Sequence, residues 1–195
     1  MTPKDDSAVP RFQPADVRQR QILDAAAGLS IKEGLDNVSI AQVAAAAGVA
    51  KGSIYLHYAS RNELVDALRA DLWHKMLDEP STILEDTSTT AAEKLDLIVG
   101  HLVAFSTEHE ELYHAVFHAT AAHSDEPWVE SRRLFTQLLR AGQQTGEFDI
   151  EDVDITADFL LHAYSGPCYH HDDMEAVASN LKQLFRRVVG SVDRP

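Results

Sequence analysis

Between Ser39 and Tyr58 the chain reads Ser-Ile-Ala-Gln-Val-Ala-Ala-Ala-Ala-Gly-Val-Ala-Lys-Gly-Ser-Ile-Tyr-Leu-His-Tyr, and few local folds satisfy that order. Ser39 followed three residues on by Gln42 is a capping box, in which the hydroxyl and the amide each satisfy an orphaned backbone N–H. Ile40, Val43, Ala44 and Ala47 then repeat at helical spacing and form one apolar face. Gly48 can take the left-handed backbone conformation that ends a helix, and Val49 turns inward behind it. A second short helix begins near Lys51, with Lys51, Ser53, Tyr55 and His57 toward solvent and Ile54 and Tyr58 inward. Two short helices joined by a glycine turn make a helix-turn-helix, whose second helix enters the DNA major groove. A buried helical hairpin in some other all-helical protein is the alternative that this pattern alone leaves open.

The run Gly48-Val49-Ala50-Lys51-Gly52-Ser53-Ile54-Tyr55-Leu56-His57-Tyr58 resembles the signature of tetracycline-repressor-like (TetR family) regulators. Ile22-Leu23-Asp24-Ala25-Ala26 and Gly34 fit the first helix of that family, and Ser60-Arg61-Asn62-Glu63-Leu64 fits the start of its fourth. The resemblance covers about 55 residues, from Arg18 to Leu72; beyond them only length and helical pattern agree. Two positions depart from it. Ala50 stands where the family often has a capping serine, a loss of about 1 kcal/mol of local stability. Ser30 stands where the first helix usually packs a phenylalanine, so other residues must fill the core there.

The resemblance implies an all-α protein of about nine helices. A mobile tail (residues 1–14) would precede a three-helix DNA-binding domain (residues 15–60) and a larger effector-binding and dimerisation domain (residues 61–195). Position by position, it implies that Lys51, Gly52 and Tyr55 approach base edges, while Ser39, Ser53, His57 and Arg61 hold phosphates. The chemistry fits: lysine can donate to guanine O6 or N7, glycine lets backbone come close, and a tyrosine ring can meet a thymine methyl. Tyr58 is expected in the core, and Leu56 either shields a sugar or sits half exposed. Arg18 and Arg20, at the start of the first helix, either reach a phosphate or are ordinary surface arginines.

A net charge of −14 looks wrong for a nucleic-acid binder until it is divided. Residues 1–61 hold seven Lys/Arg and six Asp/Glu, whereas residues 62–195 hold ten and twenty-five. The acidic part repels phosphates and leaves reading to a small, nearly neutral module that relies on specific contacts. The 45% apolar content suffices for a core. A single cysteine, Cys168, excludes an internal disulfide and fits a reducing compartment. No signal peptide and no apolar run of the roughly 20 residues needed to span a bilayer is visible, so a cytoplasmic protein without a membrane partner is expected.

After Ser60 and Glu63, a second capping box, the stripe Leu64, Leu68, Leu72, Met76 marks a fourth helix that Pro80 should bound, with a loop over 79–90. Further helices are expected from Thr90 to about Thr107, from Glu110 to Ala122, from Ser124-Asp125-Glu126-Pro127 to Thr145, from Asp152 or Asp154 to Pro167, and after a cap at Asp172.

In the family the larger domain dimerises and binds a small effector that relieves repression. The expected interface draws on the last two helices, through Ile155, Phe159, Met174, Val177, Leu181, Leu184, Phe185 and Val188. The expected pocket lining is Phe105, Tyr113, Phe117, Phe135, Phe159, His162 and Tyr164, because these aromatics exceed what a minimal bundle needs. Nine of the ten histidines follow residue 61, and His114 and His118 stand four apart on one helical face, a spacing that can chelate a metal but also arises by chance. A metal-responsive regulator is therefore the alternative, although no cofactor is expected. No Gly-rich phosphate loop, nucleophile elbow or HExxH stands in the chain, and an enzyme is not expected. The function implied is a ligand-responsive transcriptional regulator, a repressor, acting as a homodimer on a palindromic double-stranded operator.

Overall fold

The computed structural model describes residues 14–117, 126–168 and 172–190. Of the expected tail over residues 1–14, only Pro14 falls among them. Every regular element described is helical: α1 (Ala15–Glu33), a 3₁₀ turn (Leu35–Asn37), α2 (Ile40–Ala46), α3 (Lys51–Tyr55), α4 (Arg61–Glu85), α5 (Ala91–Glu108), α6 (Glu110–Phe117), α7 (Glu126–Thr145), α8 (Val153–Cys168) and α9 (Met174–Val188). The chain divides into two compact units between Leu64 and Val65.

In the first unit α1 packs on α2 and on the 3₁₀ turn, and α2 packs on α3. Ile22, Val43 and Ile54 have no exposed surface, and each such aliphatic contributes about 1.5–3 kcal/mol on burial. Ser30 is buried too, and its hydroxyl donates to the Ala26 carbonyl at 2.7 Å. Its own helix thus satisfies the hydroxyl that occupies the expected aromatic position.

The second unit is built on α5 against α9 and α7 against α8. Leu95, Ile98 and Leu102 of α5 meet a core completed by Leu138, Leu139, Leu160 and Phe185. Thr90 opens α5 with a full capping box. Its backbone N–H, then its hydroxyl, hold the Glu93 carboxyl below the usual range. That contribution is present above the ordinary glutamate pKa and is lost as pH falls through the lowered one. A bidentate pair, Arg186 to Asp96 at 3.0 and 2.8 Å, joins α9 to α5.

Pro80 does not bound the fourth helix. α4 runs through it to Glu85, so the expected loop over 79–90 shrinks to residues 86–90. A proline lacks the N–H that would bond the carbonyl four residues earlier, here that of Met76. His101 of α5 fills the gap, its Nε2–H donating to the Met76 carbonyl at 3.1 Å while Nδ1 lies 2.9 Å from Glu79 Oε2. We expect His101→Leu to lower stability by about 1–3 kcal/mol, the cost of an orphaned carbonyl, and His101→Gln to recover part of it. Thermal melts of the two variants check this; equal loss in both would assign the effect to packing instead.

Other boundaries also move. Asp173, not Asp172, caps α9, its carboxylate accepting from Ala176 N at 2.9 Å. The eighth helix keeps Pro167 within its last turn. The 3₁₀ turn after Gly34 was not expected. The stretch over 118–125, where the sixth helix was to end and the seventh to begin, lies outside the described residues.

Candidate nucleic-acid interface

The first unit holds its surface helix by local chemistry. Ser39 Oγ accepts from Gln42 N at 3.3 Å, and Ser39 N donates to Gln42 Oε1 at 2.9 Å, which completes the capping box. Gln42 Nε2 also donates to Glu33 Oε2 at 2.6 Å, tying the start of α2 to the end of α1. Gly48 adopts φ +65°. Val49 N donates to Ala44 O at 2.9 Å and Gly48 N to Ala45 O at 3.2 Å. These are the two bonds of a Schellman stop, which a β-carbon at Gly48 would strain. The α3 helix then starts without a side-chain cap, since Ala50 has none to offer.

Ile54 and Tyr58 are buried and fix the rotation of α3 about its axis. At about 100° per residue, Lys51, Gly52, Tyr55 and Leu56 fall within an arc of roughly 140°, of which the Gly52 and Leu56 end lies opposite Ile54. All four are exposed, Tyr55 by 48% and Leu56 by 84%. Ser53 and His57 are half-buried on the flank. A β-carbon at Gly52 would meet nothing within 4 Å, and its φ is not in the left-handed region. Neither packing nor backbone conformation therefore requires glycine at this position.

Two of the expected phosphate contacts have internal partners. Arg61 Nε donates to Val38 O at 2.8 Å, and its Nη2 donates to Leu35 O. The guanidinium closes the carbonyls around the 3₁₀ turn, so its main bonds fix the start of α4 rather than face outward. The Ser39 hydroxyl proton lies on Gln42 Oε1 at 2.6 Å. The capping box already implied the Ser39–Gln42 partnership, whereas that of Arg61 depends on a turn that periodicity does not reveal.

In the second unit the aromatic set expected to line one pocket divides. Phe105, Tyr113, Phe135 and Tyr164 are buried, whereas Phe159 is 53% exposed and His162 is exposed. Phe105 stacks on His109 with ring centres 4.1 Å apart, and Tyr113 and Tyr164 share a hydroxyl contact of 3.3 Å. The Phe117 side chain lies outside the described residues. A cavity of about 270 Å³ does open between α4, α5 and α7, lined by Leu84, Lys94, Arg133, Leu134 and Leu138 among others. None of the expected aromatics lines it. Long cations and leucines on three separate helices give no linear signal that could have marked it.

The expected interface stripe divides as well. Val177, Leu181 and Phe185 are buried inside their own chain, because α9 packs that side on α5 and α8. Met174 is half-buried. Ile155 (68% exposed), Phe159, Leu184 and Val188 remain uncovered on α8 and α9, two helices in mutual contact. Among the described residues no group of three or more His, Cys, Asp or Glu is placed to hold a metal; His114 is among them and His118 is not. No described helix is long and apolar enough to cross a membrane.

A capped α2, a Schellman turn and a short helix showing a polar, glycine-bearing arc define a helix-turn-helix DNA-binding module. Residues 22–68 match the bacterial regulatory proteins of the tetR family. Over 155 residues the chain is 31% identical to the HTH-type transcriptional repressor KstR2 of Rhodococcus jostii, covering 73% of this chain and 74% of that one. The fold is shared with FadR of Bacillus halodurans at a TM-score of 0.77 and 19% identity, covering 94% of this chain and all of that one (100%). It is also shared with FadR of Bacillus subtilis, solved with stearoyl-CoA, at 0.74 and 20% identity, over 87% and 98% of the two chains. The chain belongs to the TetR family and is a DNA-binding transcriptional regulator. Its resemblance in the helix-turn-helix therefore extends well into the second unit.

Proposed function

We propose that the protein represses transcription as a homodimer on a palindromic operator and is released when a small molecule occupies its second unit. The outward arc of α3 carries this reading. Lys51, Gly52 and Tyr55 meet base edges, with Lys51 donating to a guanine and Tyr55 placing its ring edge on a thymine methyl. Ser39, Ser53 and His57 take backbone phosphates, while Arg61 acts indirectly by fixing the turn. One recognition helix reads too few base pairs for useful specificity, which calls for two copies on a two-fold site. The uncovered apolar residues of α8 and α9 supply a surface that a symmetry mate can share. The effector relieves repression through its differential affinity for the bound and released states. The cavity between α4, α5 and α7 is a place for it to act. The metal-responsive alternative has no supporting cluster among the described residues.

Gly52→Ala tests the reading, since the two effects have opposite signs. Alanine should raise stability by about 0.5–1 kcal/mol, because the helix gains propensity and nothing inside the protein resists the methyl. Affinity for a duplex selected by the wild type from a random pool should fall about tenfold or more, as the new β-carbon holds the helix away from the bases. A variant that melts higher and binds equally well would remove the arc from the interface. Failure of the wild type to select any duplex would remove the operator.

A further inference from the structure

Leu56 is the most exposed large apolar side chain of the described residues, at 84%, and it caps the C-terminal end of α3 in helical conformation, with φ −75° and ψ −21°. It stands four residues after Gly52, so the two share a face, and a helical side chain covers the turn N-terminal to its own Cα. The turn under Leu56 therefore carries bare backbone at Gly52, with empty space where a β-carbon would project. An exposed leucine and an open stretch of backbone at Gly52 thus share the outward arc of α3 with Tyr55. Leucine has no donor or acceptor with which to hold a phosphate or a base edge. Of the features that base pairs present in the major groove, the C5-methyl of thymine is the apolar one.

We propose that Leu56 is a specificity-determining residue that selects thymine at one position of each half-site by meeting its C5-methyl, the bare backbone of Gly52 leaving room for the base to approach. The inference rests on the DNA-reading role of α3 and goes beyond it, because it adds to the thymine-methyl contact of Tyr55 a second one, made by a residue that the charged and hydroxyl-bearing contacts leave unused. A cytosine there presents an amino group and no methyl, which a leucine side chain cannot satisfy. A 5-methylcytosine presents the methyl and should be partly accepted.

The test uses the full chain and a duplex selected by it from a random pool. Thymines of one half-site are replaced singly by deoxyuridine, which keeps base pairing and removes only the methyl. At one position the wild type should lose about fourfold or more in affinity, the equivalent of one methyl group withdrawn from an apolar contact. Leu56→Ala should bind the unmodified duplex that much more weakly and be indifferent to deoxyuridine at the same position, while keeping the wild-type response elsewhere. Because the side chain is exposed, its thermal melt should be unchanged. A uracil series that affects wild type and Leu56→Ala equally at every position would overturn the role of Leu56 and leave DNA reading intact. A wild type that selects no duplex would overturn both.

Discussion

Glutamate at both Phe159 and Leu184 is expected to convert the proposed dimer into a monomer and reduce operator affinity to that of a half-site. The two side chains are more than half exposed in the single chain, at 53% and 51%. With about half of each already covered, each would contribute about 0.8–1.5 kcal/mol when a partner covers the rest. A two-fold interface presents every residue twice, so the double substitution removes four such contributions and sets carboxylates in an apolar contact. The dimer should therefore weaken by at least about a thousandfold, since each 1.4 kcal/mol is a factor of ten. Light scattering at micromolar concentration and a gel-shift titration read the two consequences. Because neither residue belongs to the buried core of its own chain, the α-helical signal should be retained. A double variant that remains dimeric would move the interface away from this face of α8 and α9.

The second large effect concerns stability. In Gly142→Ala the new β-carbon would stand 2.1 Å from Phe148 Cδ2 and 2.5 Å from Cε2, so the ring must move. It has little freedom to do so. Glu147 N and Phe148 N both donate to the Gly142 carbonyl, at 2.9 and 3.1 Å, folding the chain back over the end of α7. Asp149 N then donates to Val189 O at 2.9 Å, just past α9. Overpacking of this kind costs about 1–3 kcal/mol, and expulsion of the buried ring brings the total near the 3–5 kcal/mol of a lost phenylalanine. At about 2–4 °C per kcal/mol for a chain of this size, the melting temperature should fall by about 6–12 °C or more. Adding Phe148→Leu to Gly142→Ala should restore part of the loss by relieving the contact. If the single substitution leaves the transition in place, Phe148 does not pack as described.

These expectations separate the parts of the molecule that can be read linearly from those that cannot. The reader module could be read because its decisive interactions are local. Ser39 finds Gln42 three residues away, Gly48 closes a helix by its own backbone conformation, and Ile54 with Tyr58 sets the rotation of α3. Arg61 was assigned outward because its real partners, the Leu35 and Val38 carbonyls, lie more than twenty residues back across a 3₁₀ turn without periodicity. Pro80 illustrates the same limit. Within its own helix it is a breaker, and only His101, on another helix, makes the continuous α4 tolerable.

The amino-acid order by itself determined that the protein is helical, where its reading helix begins, and that α9 is amphipathic, because helix period, caps and glycine turns act over a few residues. Tertiary structure alone decided which neighbour each apolar face received. The stripe of α9 looked continuous, yet Leu181 and Phe185 are buried within the chain while Leu184 and Val188 are left exposed. Likewise, aromatic content drew attention to rings that became core, while the cavity formed where cations and leucines from three helices met. Burial of an apolar side chain is non-directional, so a sequence states the wish to be covered without stating by what.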